Sequence, residues 1–208
     1  MKTVKTALFF GVALLVTCAA FGANIVANSG FETGDFTSWT EHTCTSVNCG
    51  AQGWFVTTTD PHTGTHAADT RCVSADCLNP TTGDWISQVL TTTTSTAYTF
   101  SFWMDPVNSG DPTVEIDIFW NGTKVGGFGS EPGGYHRYTI GGLVATGTST
   151  TLEITGRHDP ATVFIDDVCV SSTTDCGSAT PEPTSMFLMG GGLVGIGLIT
   201  FRRRMNRR

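Results

Sequence analysis

Four side chains in the middle of the chain, Trp103, Glu115, Asp117 and Phe119, combine types that can hold a sugar. Side chains alternate between the two faces of a strand, so parity sorts them. Along 98–104, Tyr98, Phe100, Phe102 and Met104 share one parity, and Thr99, Ser101 and Trp103 the other. Along 113–120, Val114, Ile116, Ile118 and Trp120 stand opposite Thr113, Glu115, Asp117 and Phe119. The apolar sets are core. If the two strands are neighbours, the remaining sets make one polar face with two aromatics and two carboxylates. Aromatic rings cover the C–H side of a pyranose, and carboxylates accept its hydroxyl protons. The other reading of the same pattern is a solvated outer sheet. Glu115 and Asp117, two apart on one strand, stand about 6.5–7 Å apart at Cα, a spacing an inverting glycosidase can use. Hydrolysis also needs an acid enclosed in a pocket, and the sequence shows no such enclosure. The expectation is therefore a ligand face and no catalytic residue.

A second group centres on Asp166. In 162–170 the parity of Phe164, Asp166, Val168 and Val170 places this carboxylate on the apolar face. There it must accept hydrogen bonds from loop amides or hold a cation. His62 and His66 are four apart but sit in a Pro/Gly-rich loop, not on the helix a metalloprotease motif requires. Cys44, Cys49, Cys72, Cys77, Cys169 and Cys176 form an even set behind a basic, apolar N-terminal stretch (residues 1–23) that reads as a signal peptide, and so read as three disulfides. Their local clustering suggests 44–49, 72–77 and 169–176. Zinc is the rival, but the spacings are not those of a zinc ribbon.

The elements that must position these residues are strands. Period-two segments bounded by Gly, Pro, Asn and Asp predict strands near 24–28, 53–59, 65–70, 84–90, 96–104, 113–120, 123–128, 135–140, 150–155 and 162–170. Asn121-Gly122 accepts the positive φ of a type I′ hairpin. No part of the body has helical periodicity. Many short strands predict an all-β, two-sheet jelly-roll sandwich.

The net charge of −7 over 208 residues divides unevenly. Residues 24–180 hold four basic side chains against seventeen acidic ones, a net of −13. Lys2 and Lys5 precede the first apolar run, and Arg202, Arg203, Arg204, Arg207 and Arg208 follow the last. An acidic body with no basic patch excludes nucleic acid as a general partner. Residues 1–23 read as a signal peptide, 24–172 as the sandwich, 173–180 as a linker and 181–208 as a C-terminal signal. Within that signal, 185–201 is a single transmembrane helix and 202–208 a basic tail. The uncharged stretch 184–201 spans about 27 Å as a helix, barely a bilayer core. Its arginines keep the C-terminus in the cytoplasm.

Pro181-Glu182-Pro183, the short Gly/Leu-rich span and the terminal cluster Arg202, Arg203 and Arg204 resemble the PEP-CTERM sorting signal. That resemblance implies a membrane-embedded exosortase as processing partner. It implies transient residence in the inner membrane and then the cell surface or extracellular matrix of a Gram-negative bacterium. A second set of segments runs in order along the body: Asn24–Glu32, Gly34-Asp35-Phe36 through Trp39, Gly64–Ala68, Ile86-Ser87-Gln88, Tyr98–Trp103 and Phe164–Val168. These resemble the galactose-binding-like jelly roll of carbohydrate-binding modules. The resemblance implies a structural Ca2+ held by Glu32 and Asp166 with backbone oxygens around Thr63; calcium favours such oxygen ligands. Taken together these readings give a non-catalytic surface or matrix protein associated with exopolysaccharide. The alternatives are a structural or adhesive protein with protein partners, and a secreted glycan hydrolase.

Overall fold

In the computed structural model, residues 23–49, 53–107, 113–129, 133–159 and 161–173 are described. The predicted signal peptide, membrane helix and sorting residues Pro181, Glu182, Pro183, Arg202, Arg203 and Arg204 lie outside them, as does Cys176. Among the described residues no helix is long and apolar enough to cross a membrane.

Among the described residues there are ten strands: β1 (Thr40–His42), β2 (Trp54–Thr57), β3 (Ala67–Thr70), β4 (Trp85–Thr91), β5 (Ala97–Pro106), β6 (Glu115–Trp120), β7 (Thr123–Gly129), β8 (His136–Val144), β9 (Ser149–Arg157) and β10 (Val163–Ser171). They pair antiparallel into two five-stranded sheets. Sheet I has the order β1-β4-β9-β6-β7 and sheet II the order β2-β3-β10-β5-β8. The all-β sandwich predicted from the sequence is the observed fold.

Between the sheets, Ile86, Leu90, Ile116, Ile118, Leu152 and Ile154 of sheet I meet Phe100, Phe102, Met104, Ile165, Val168 and Val170 of sheet II. All are essentially removed from solvent. Each such side chain contributes about 1.5–3 kcal/mol on burial. Phe102 anchors an aromatic group, packing on Phe128 at 5.5 Å and Tyr138 at 5.6 Å between ring centroids.

The hairpin at Asn121-Gly122 forms as expected, with φ of 51° and 79° and Trp120 opposite Thr123. Two elements differ from the sequence reading. The segment 24–28 is not a strand, because the Asn24 side chain takes ladder positions itself. Its amide donates to Val168 O and its carbonyl accepts from Val170 N, both at 3.0 Å. Asn28 then turns away with φ 48°. The short edge strand β1 carries too few residues to show a period.

Disulfides join Cys44 to Cys49 and Cys72 to Cys77, each with Cα atoms 6.1 Å apart. Cys169 is also disulfide-bonded.

Candidate functional site

The outer face of sheet I is built by register. His42, Trp85, Thr155, Asp117 and Gly127 form one row across its five strands. Thr40, Ser87, Glu153, Phe119 and Lys124 form the next, and Arg157 faces Glu115 beyond. The intervening residues Ile86, Ile116, Ile118 and Ile154 point into the core. Glu115, Asp117 and Phe119 therefore share a face, as parity predicted.

Trp103 does not join them. Strand β5 belongs to sheet II and β6 to sheet I, so the two sequence neighbours lie on opposite sides of a core about 10 Å thick. The aromatic beside the carboxylates is instead Trp85, whose indole stacks on His42 at 4.9 Å and 9°. The His42 ring is fixed by Nδ1 against Gly83 O at 2.8 Å. Trp85 opens the predicted strand 84–90, but nothing in the sequence says that β4 lies two strands from β6.

The face is rich in hydrogen-bonding capacity that the protein leaves unused. Among the described residues, the buried side-chain atoms without a partner include Trp85 Nε1, Thr155 Oγ1, Asp117 Oδ1, Glu153 Oε1 and Arg157 Nε. All five belong to outward-pointing residues of adjoining strands β4, β9 and β6. Buried polar atoms are normally satisfied, so five orphans on one face leave unmet hydrogen-bonding demand there. The set mixes donors and acceptors.

Lys124 Nζ holds Asp117 Oδ2 at 2.5 Å and lies 3.5 Å from Glu115 Oε1. Burial pushes the Asp117 carboxyl up; the Lys124 hydrogen bond opposes this, and Glu115 adds to it. Burial likewise raises Glu153, against the pull of His42. The Asp117 hydrogen bond raises Lys124. Gly127 lets Asp117 and Lys124 pack closely against β7, since a methyl there would lie 2.8 Å from Asp117 Oδ1 and 3.4 Å from Lys124 Nζ. One ammonium bridges Glu115 and Asp117, which suits a binding surface better than an acid–base pair flanking a bond.

On the outer face of sheet II, the His62 ring covers Trp103 at 4.0 Å, and Tyr135 adjoins His62 at 5.0 Å. The loop bearing His62 is tied down by carboxylates. Asp166 Oδ2 accepts from the amides of His62 at 2.9 Å and Thr63 at 3.0 Å, and Asp166 Oδ1 accepts from Asp167 N at 2.6 Å. Asp167 accepts from Thr63 Oγ1 at 2.8 Å and meets His62 Nδ1 at 2.7 Å. Glu32 accepts from the amides of Thr65 and His66, both at 2.9 Å.

Asp166 is fully buried, but not on the apolar face that parity assigned. It pairs with Trp103, and Phe164 with Asp105, on the outer face, whereas Val168 and Val170 face the core. A bulge between Asp166 and Cys169, with Asp167 at φ 48°, shifts the parity by one. Burial under the loop raises the Asp166 carboxyl to about 6, with the Thr63 amide opposing and Asp167 adding. The lone pairs of Asp166 and Glu32 mostly face amide hydrogens. A cation at Glu32, Thr63 and Asp166 would have to displace those bonds.

Residues 179–204 match the PEP-CTERM protein-sorting motif. No curated protein matches the chain in sequence. Among solved structures, the fold is similar to TmCBM61 in complex with β-1,4-galactotriose, at 18% identity and TM-score 0.53, over 71% of this chain and 97% of that one. It is similar to the CBM22-1 xylan-binding domain of Paenibacillus barcinonensis Xyn10C, at 14% identity and TM-score 0.51, over 74% and 97%. It is also similar to the Stig cyclase Fisc from Fischerella sp. TAU, at 13% identity and TM-score 0.50, over 73% and 98%. At these identities the likeness is one of fold. The chain carries a PEP-CTERM sorting motif behind a jelly-roll β-sandwich of the kind found in carbohydrate-binding modules.

Proposed function

We propose that this protein is exported, processed by an exosortase at its C-terminal motif, and binds a neutral polysaccharide of the cell surface or matrix through the outer face of sheet I. The observation that carries the binding site is the set of unused donors and acceptors on Trp85, Thr155, Asp117, Glu153 and Arg157, next to Glu115 and Phe119. Sugar hydroxyls both donate and accept, so a hydroxyl-rich ligand suits a face of mixed donors and acceptors once side chains such as Trp85 and Lys124 turn aside. Glu115, Asp117 and Glu153 against Lys124 and Arg157 leave the face slightly negative, and the whole domain is acidic. Uronic-acid polymers are repelled, and uncharged chains are not. The sugar-binding neighbours and the sorting motif support this reading.

Affinity electrophoresis of the full chain in detergent, on gels containing galactan, xylan or alginate, tests it. The expected result is retardation on a neutral polymer, lost by at least tenfold in Trp85→Ala and Asp117→Ala and kept in Trp103→Ala. Retention on none of the neutral polymers refutes the sugar reading. Loss confined to Trp103→Ala, in a chain that still melts cooperatively, moves the site to sheet II.

A structural Ca2+ belongs to the same reading as a proposal. Supporting it, the carboxylates of Asp166 and Glu32 both close on the loop that carries Thr63.

A further inference from the structure

The sequence spaces cysteines identically twice, Cys44 with Cys49 and Cys72 with Cys77. The fold brings the two pairs together. Cys49, Cys72 and Cys77 form a fully buried cluster of their own, with Cys44 packed against it. Cys49 Sγ and Cys77 Sγ belong to different disulfides yet lie 3.8 Å apart. The sulfurs of Cys49, Cys72 and Cys77 all fall within 4.8 Å of one another. In a tetrahedral tetrathiolate centre with metal–sulfur bonds of about 2.3 Å, neighbouring sulfurs stand about 3.8 Å apart.

We infer that Cys44, Cys49, Cys72 and Cys77, once both disulfides are reduced, form a four-sulfur site for one thiophilic divalent cation, with Zn2+ as the type. The loops that carry them are held by bonds other than the disulfides. Thr45 N donates to Thr82 O at 3.0 Å, Ser46 Oγ to Asp76 Oδ2 at 2.6 Å, and His158 N to Cys72 O at 2.8 Å. Cys44 N donates to the buried Asp84 carboxylate. Opening the S–S bonds therefore leaves the sulfurs of Cys49, Cys72 and Cys77 close together, with Cys44 packed beside them as the fourth. Ser74 N already donates to Cys77 Sγ at 3.4 Å, a bond that favours thiolate over thiol.

The chemistry balances with a dithiol as reductant. Each disulfide takes up two electrons and two protons to give two thiols, while the dithiol closes to its own disulfide. Cation binding then releases the four thiol protons and leaves a centre of charge −2 with Zn2+. A small-molecule disulfide, each equivalent reduced to two thiols as one protein disulfide forms, expels the cation and restores both disulfides.

The test uses the full chain in detergent, reduced with a dithiol, freed of reductant under nitrogen and titrated with ZnCl2 against a colorimetric zinc chelator. The expected result is one Zn2+ per reduced chain and none per oxidised chain. Bound zinc should protect Cys44, Cys49, Cys72 and Cys77 from iodoacetamide while Cys169 is alkylated. Cys77→Ser should weaken binding at least tenfold and Cys169→Ser should not. Co2+ in place of Zn2+ should give the intense visible bands of tetrahedral thiolate. The inference is overturned by uptake below about half an equivalent or by affinity indifferent to Cys77→Ser. Equal uptake by the oxidised chain, or a reduced chain whose sheet signal in circular dichroism is lost and not restored by zinc, also overturns it.

Discussion

Gly64→Ala probes the clamp that holds the loop between β2 and β3. Gly64 sits at φ +64°, where an L side chain costs about 1 kcal/mol. Its Cβ would also overlap the Glu32 carboxylate, with Oε2 2.8 Å away. Glu32 must then swing out and lose its bonds from Thr65 N, His66 N and Thr65 Oγ1. At about 0.5 kcal/mol for each such exposed bond, the total loss with the backbone strain is about 2.5 kcal/mol. A domain of this size loses about 2–4 °C in Tm per kcal/mol, so the variant should melt roughly 5–10 °C lower. Differential scanning calorimetry in EDTA, which removes any cation, measures this. Glu32→Gln weakens the same bonds, so the two losses should overlap in the double variant instead of adding. A fall below about 2 °C for Gly64→Ala, or full additivity in the cycle, refutes the clamp.

Asp84→Asn keeps an acceptor for Cys44 N but removes a carboxyl that burial holds above its usual 3.8, against the Cys44 amide and His42. The folded state binds that proton more tightly than the unfolded one, so this group adds stability as pH falls through its raised pKa toward 3.8. The variant should therefore melt higher than the parent at pH 8 and converge with it near pH 4; a pH-independent difference refutes this. If calcium sits among Glu32, Thr63 and Asp166, EDTA should lower the Tm of the parent and spare Asp166→Asn; an unchanged parent Tm removes the ion. Phe102→Ala should cost about 3–5 kcal/mol through its cavity, read as a lowered urea midpoint, and a change under about 1 kcal/mol would show that Phe128 and Tyr138 collapse into the gap.

Much of the fold was legible because alternation is local. Nine of the ten predicted segments coincide with strands, and Asn121-Gly122 turns as its residue types require. Disulfides 44–49 and 72–77 followed from proximity in sequence. What parity could not carry is where it resets. The single residue Asp167, in a left-handed conformation, moved Asp166 and Phe164 to the face opposite Val168. Nor does alternation say which sheet a strand joins. The chain crosses from sheet II to sheet I between β5 and β6, which separates Trp103 from Glu115, Asp117 and Phe119. Trp85 and Glu153 reached the face through pairings across dozens of residues, which only tertiary packing decides.

The last strand of the domain, β10, is the middle strand of sheet II, between β3 and β5. A chain that emerges N-terminus first thus leaves two halves of that sheet unjoined until residues 163–171 follow. Asn24, at the start of the domain, has no amide or carbonyl on β10 to grip before then. Folding is completed by the residues that lie just ahead of the motif at 179–204. The strand that joins the two halves thus ends at Ser171, shortly before the motif begins at residue 179.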